Sequence, residues 1–210
     1  MEKIVSRLYE KFSKNLLSIY LYTPYEKKFL LLILKETSFS ELETVKSLLK
    51  NIPIIILTST DLEDGADVFS VEFLSFKYHT KFLKGKDLLK QLKINKKHVR
   101  QHLEYEMRNK LIYLRLEFLK QNFKKFLPLI LPVFEGFLEG LLYLKDTKHI
   151  ENLSVEEKIK SVSTLYDIDL SLLKLIQIND KRKLVKMSFQ SIIQTINLQL
   201  ELLIKKVNNL

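Results

Sequence analysis

KKHVRQHLEYEMRNKLIYLRLEFLKQ, spanning Lys96–Gln121, is the stretch on which the class of fold turns. Its apolar residues Val99, Leu103, Met107, Leu111, Leu114 and Phe118 step by 4, 4, 4, 3 and 4. Only the 3.6-residue period of an α-helix gathers such a series onto one face. Beyond it the pattern stays helical. A second helix is expected over 126–145. A third is announced by Ser154 with Glu157 three residues on, a capping-box spacing, and continues through Val155, Ile159, Val162 and Leu165. A short helix follows over Leu170–Ile178, and a long final one aligns Val185, Phe189, Ile192, Ile196, Leu200, Leu203 and Val207. Several helices with apolar stripes must bury those stripes against one another, so an all-α bundle is predicted for 95–210.

Before Lys96 the character is different. Leu16–Tyr22, Phe29–Leu34, Pro53–Thr58 and Val71–Leu83 are apolar, β-rich runs bounded by turn residues, and read as four strands, the last a strand or hairpin preceded by a short turn-helix. A helix over Glu2–Phe12 opens the chain. Another over Ser40–Lys50, with Ser38 or Ser40 as its cap, separates the second strand from the third. This order predicts a small mixed sheet covered by helices in 1–94. The whole is then an α+β protein, a small mixed β-sheet domain (1–94) followed by an α-helical bundle (95–210). Charge is uneven too: of the net +10, 1–94 carry +3 and 95–210 carry +7.

With 210 residues, 46% of them apolar and 29% charged, the chain has the composition of a folded protein. The absence of cysteine excludes disulfides, thiolate nucleophiles and thiolate metal sites. The N-terminus alternates charged and apolar residues and has no signal-peptide block, so a cytoplasmic location is expected. Phe126–Leu144 is the greasiest run, yet it holds Glu135, Glu139, Pro128 and Pro132; a bundle helix, and no membrane span, is the reading.

Asp67-Val68-Phe69-Ser70-Val71-Glu72-Phe73-Leu74-Ser75-Phe76-Lys77 is followed by Gly85-Lys86-Asp87, by His102-Leu103-Glu104, and by Leu114-Arg115-Leu116-Glu117-Phe118-Leu119. These segments, after an opening helix and a strand ending Leu21-Tyr22, resemble a family of small nucleotidyltransferase-like proteins. In that family a minimal polymerase-β-type domain precedes a helical bundle. The resemblance implies the same two-part architecture over nearly the whole chain.

Nucleotidyl transfer holds two divalent cations around a triphosphate, which takes two carboxylates at i and i+2 on one strand face and a third nearby. A Gly-Ser turn beside them lets backbone amides approach the phosphates. Here the first strand runs into Thr23-Pro24-Tyr25-Glu26-Lys27-Lys28, which has no glycine, and Phe29–Leu34 contains no carboxylate. Glu26 and Glu36 flank that strand instead. Asp67 and Glu72 are the residual acidic positions, and each has a plain structural reading. Asp67 suits a turn, and Glu72, alternating with Val71 and Phe73, faces away from them on a strand. The sequence thus points to a catalytically degenerate member with no metal or cofactor, working by binding or regulation. The alternatives are an active transferase with a non-standard carboxylate set and a nucleic-acid-binding module.

Arg100, Glu104, Arg108 and Arg115, with Lys97, fall in one sector beside the apolar stripe of the long helix. Three of the chain's five arginines are there. Guanidinium forks suit a phosphate or other anion; alternatively, Glu104 accepts from Arg100 and Arg108 at i±4 in an interdomain network. His98, His102 and Glu106 also share a helix face, although no further ligand accompanies them. Lys181-Arg182-Lys183 with Lys186 is the densest basic run, without a nucleic-acid motif beside it. Gly136 and Gly140 would let a helix approach closely. Gln190, Gln194, Asn197 and Glu201 form a polar line on the last helix that suits a homo-oligomer or a protein partner. Nucleotide or nucleic acid remains an unsupported alternative partner.

Overall fold

The computed structural model of the chain describes residues 2–12, 14–24, 27–48, 52–120, 134, 136–178, 184 and 187–210. The fold is α+β, and it divides into two compact units, 1–94 and 95–210.

In the first unit, α1 (Glu2–Lys11) leads into β1 (Leu16–Tyr22) and β2 (Phe29–Leu34), paired antiparallel from Leu16↔Leu34 to Tyr22↔Phe29. The turn between them is drawn in where Lys27 N–H donates to Pro24 O (3.0 Å). α2 (Phe39–Leu48) starts where Ser38 N–H donates to Glu41 Oε2 (2.8 Å). It crosses back to β3 (Ile54–Thr58), which runs parallel to β2. Thr58 and Asp61 form a capping box for α3 (Ser59–Asp64). After a turn come α4 (Ser70–His79), β4 (Thr80–Gly85), antiparallel to β1, and α5 (Leu88–Gln91). The sheet order is β3-β2-β1-β4.

Alternation along β2 builds the core of this unit. Leu30, Leu32 and Leu34 face a cluster with Val5, Leu8 and Phe12 of the N-terminal segment and Val45 of α2. Leu31 and Ile33 face Leu62 of α3 and Phe73 and Phe76 of α4. All five strand residues are completely buried, so β2 is apolar on both sides because helices cover both sides. At the end of β4, Gly85 has φ +101° and lies against Leu17 O, where a Cβ would stand only 2.1 Å away. Only glycine fits there.

The strand expected over Val71–Leu83 is two elements. Ser70–His79 is helical, because Ser70, Phe73, Leu74 and Phe76 gather on one buried face. There Phe76 meets Tyr22 edge to face at 4.9 Å. Thr80 Oγ1 donates to Phe76 O (2.7 Å), closing the helix where the strand begins. Glu72 therefore sits in the first turn of α4 and not on a strand, which overturns the alternation argument made for it.

In the second unit, α6 (Lys96–Lys120) is opened by Asn95, whose Oδ1 accepts from Lys97 N–H (2.9 Å). α7 (136–144), a 3₁₀ turn at Ile150–Asn152, α8 (Val155–Tyr166), α9 (Ser171–Gln177) and α10 (Phe189–Asn208) complete the described helices. α6 and α10 pack side by side. Ser154 and Glu157 form the expected capping box on α8.

Three details differ from expectation. The stripe of α6 turns inward at Glu117, 7% exposed, and leaves Phe118 40% exposed against Phe189. On α8, Tyr166 is buried in place of Leu165. Its hydroxyl donates to Leu141 O (2.8 Å), and burial pushes its phenol pKa upward. The last helix starts at Phe189 because Ser188 caps it through Ser191 N–H (3.1 Å). Val185, and 126–133 and 135 of the expected second helix, lie outside the described residues.

Two contacts lock this unit internally. Lys158 Nζ of α8 reaches Glu139 Oε1 of α7 at 2.6 Å, with side chains 6% and 2% exposed. Gly140 of α7 lies against Leu103 of α6: a Cβ there would be 3.0 Å from both Leu103 methyl carbons. The close approach expected at Gly140 is thus made by α6 of the same chain. Among the described residues no helix is long and apolar enough to cross a membrane.

Candidate anion-binding groove

Helical periodicity puts Arg100, Glu104 and Arg108 one turn apart along α6. Glu104 accepts from Arg108 through Nε (3.0 Å) and Nη2 (2.8 Å), and Arg100 Nη1 stands 3.7 Å from it. The hydrogen bond from Arg108 is the main cause that lowers the Glu104 pKa, with Asn208 of α10 adding a further donor. The i±4 reading of these three residues is therefore what the geometry contains. Arg115 is engaged elsewhere: its Nη2 donates to Glu201 Oε1 of α10 (3.3 Å), which also accepts from Asn197 Nδ2 (2.8 Å).

Between α6 and α10 these side chains border a groove of about 450 Å³, lined by Arg108, Leu111, Arg115, Glu201, Ile204, Lys205, Asn208 and Asn209. Leu111 and Ile204 make an apolar floor, and the polar groups stand at its rim. The Arg108 and Arg115 side chains are 56% and 63% exposed, so their guanidinium heads stay accessible above their internal partners. Arg108, Arg115 and Lys205 share the rim with one lining carboxylate, Glu201, which holds Arg115, while Glu104, outside the lining, holds Arg108. Two guanidinium groups, each already holding a carboxylate, and the Lys205 ammonium thus flank the apolar floor.

The α6 spacing exposes half of this site to sequence reasoning. Glu201 was visible as part of a polar line, whereas Lys205 and Asn208 gave no signal: nothing in their spacing tells that α10 pairs with α6 in this register.

The remaining candidates lie apart from the groove. Asp67 is exposed in the turn between α3 and α4, and Glu72 is exposed on α4. A negative charge in a first turn complements the helix dipole, which gives Glu72 a structural role. His98, His102 and Glu106 are half-buried along α6, and among the described residues no group of three or more His, Asp and Glu side chains is placed to hold a metal ion. Tyr25, Glu26, Lys181–Lys183 and Lys186 lie outside the described residues. Of the turn after β1, Thr23 N–H donates to His79 O (2.9 Å), tying it to the end of α4. Comparison of the chain with protein-family models, curated proteins and solved structures finds no match.

Proposed function

We propose that this chain works by binding, not turnover, as a catalytically degenerate nucleotidyltransferase-like protein whose helical unit accepts a phosphate-bearing ligand. The observation that carries the reading is the groove between α6 and α10, where Arg108, Arg115 and Lys205 border an apolar floor and the exposed arginines, held by Glu104 and Glu201, leave donors facing solvent. The sheet supports the non-catalytic half of the proposal: β2, the strand on which the resembled enzymes carry paired acids, is here filled by buried Leu and Ile side chains. A phosphate ester suits the groove because its oxygens match the arginine forks and its organic part would cover Leu111 and Ile204.

Titration calorimetry on the full chain at low salt tests this, with inorganic pyrophosphate and ATP as probes. Saturable binding that weakens at least about tenfold in Arg108→Ala/Arg115→Ala, a loss of about 1.4 kcal/mol, is the expected result. Absence of binding for both probes in the folded wild type would remove the proposal. Transfer of labelled nucleotide in the presence of magnesium would remove its non-catalytic half alone.

A further inference from the structure

We propose that β3 is a dimerisation edge: two copies of the chain pair their β3 strands antiparallel about a two-fold axis, joining two four-stranded sheets into one. The two edges of the sheet are built differently. β4 carries Lys81, Lys84 and the left-handed Gly85, the features by which an edge repels another strand. β3 reads Ile54-Ile55-Ile56-Leu57-Thr58, with no charge, glycine or proline, and every residue is only half-buried. Its ladder runs to β2 on one side, leaving its other side at the margin of the sheet.

A second copy is the occupant favoured by self-complementarity. Centred on Ile56, an antiparallel pairing sets Ile56 against Ile56 and Ile54 against Thr58 on one face, and Ile55 against Leu57 on the other. All are β-branched or apolar cross-strand pairs with no like charges opposed. Beside the strand a groove of about 880 Å³ is lined by Leu42, Glu43, Lys46, Ile52, Ile54 and Ile56, among others. Leu42 is 40% exposed, and Phe39, one turn earlier on the same side of α2, is 83% exposed. The two-fold brings this face of α2 alongside its copy, and the lining acid and base, Glu43 and Lys46, offer each copy the charge the other needs. A partner of one charge sign would match only one of them. The inference is independent of the anion-binding groove, which lies in the other unit.

The chain has no cysteine, so a single Ile56→Cys places the only thiol on the proposed axis. Directly opposed residues of antiparallel strands have Cα atoms about 4.5–5.5 Å apart, within disulfide reach. The wild type should sediment as a dimer at about 100 μM, and mild oxidation should convert Ile56→Cys, but not Lys84→Cys on β4, to a covalent dimer. Glu43→Lys should raise the dissociation constant at least about tenfold, and adding Lys46→Glu should restore it. These two surface variants leave β3 untouched and therefore separate lost pairing from lost folding. A wild type that stays monomeric, or a dimer that Ile56→Cys fails to trap, overturns the proposal.

Discussion

Replacing Lys158 by methionine isolates the energetics of the α7–α8 contact. The ammonium is 2.6 Å from Glu139 Oε1, and the two side chains are 6% and 2% exposed, so neither charge has water to fall back on. Removing one member of such a pair takes the opposite charge away from a buried ion, at a cost of about 3–5 kcal/mol. A unit of this size has a total stability on the order of 10 kcal/mol, so the loss takes away about a third or more of it. At roughly 3–5 °C per kcal/mol, melting of the helical unit should fall by about 10–20 °C. Thermal and urea unfolding followed by far-ultraviolet circular dichroism give the value. The pair Glu139→Leu/Lys158→Met removes both charges while keeping apolar volume, and should recover most of the loss, a coupling that a double-mutant cycle reads directly. By contrast Lys174–Glu156, just as short at 2.7 Å but about half exposed on both sides, should contribute less than about 1 kcal/mol and vanish in salt. If Lys158→Met costs under about 1 kcal/mol, or the double variant is no better than the single, the reasoning fails.

Gly140→Ala should destabilise by about 1–3 kcal/mol, because its Cβ presses on the buried methyls of Leu103. Gly136→Ala, with nothing within 4 Å of the new Cβ, should instead stabilise α7 by about 0.5–1 kcal/mol, and urea midpoints distinguish the two. Gly85→Ala should cost about 2 kcal/mol or more, since its backbone is left-handed and Leu17 O occupies the space, and exchange of amides in the β1–β4 ladder should accelerate. Ser154→Ala should cost about 1 kcal/mol at neutral pH by uncapping α8. Glu157, which accepts first from the Ser154 amide and then from its hydroxyl, has its pKa lowered from the ordinary 4.5. A depressed carboxylate stabilises the fold above 4.5, and that contribution is lost as pH falls through the lower folded value. Acid titration of Glu157→Gln should therefore show a shallower loss below pH 4.5 than the wild type.

Where a segment is apolar throughout or strictly periodic, its structure was legible. β1 and β2 fall at Leu16–Tyr22 and Phe29–Leu34 because a hairpin buried on both faces needs continuous apolar runs, which few other local structures use. α6 and the Ser154 cap were readable from spacing alone. Val71–Leu83 was not, because Val71, Phe73 and Ser75 alternate with their neighbours as a strand would, while Phe73 and Phe76 also lie a helical turn apart. Packing against Tyr22 decides between the two, and Tyr22 is distant in sequence. Glu117 and Phe118 exchanged places for a related reason: a step of three or of four keeps the stripe equally well, and the neighbouring helix selects. In the groove, Arg108 and Glu104 could be paired within one helix, but the contribution of Lys205 and Asn208 depends on how α10 registers against α6, which local sequence does not encode.

The double-sided burial of β2 also bears on what this lineage can become. Two acids at alternating positions, such as Leu30 and Leu32, would each be immersed in hydrocarbon at sites with no accessible surface. Each uncompensated charge costs several kcal/mol, so the first substitution alone would consume much of the unit's stability before a second could help bind a cation. Single-step mutation therefore has no viable intermediate toward a cation-binding strand there. Charge is accommodated instead at the surfaces of this fold, where it can be added and exchanged without unfolding the sheet.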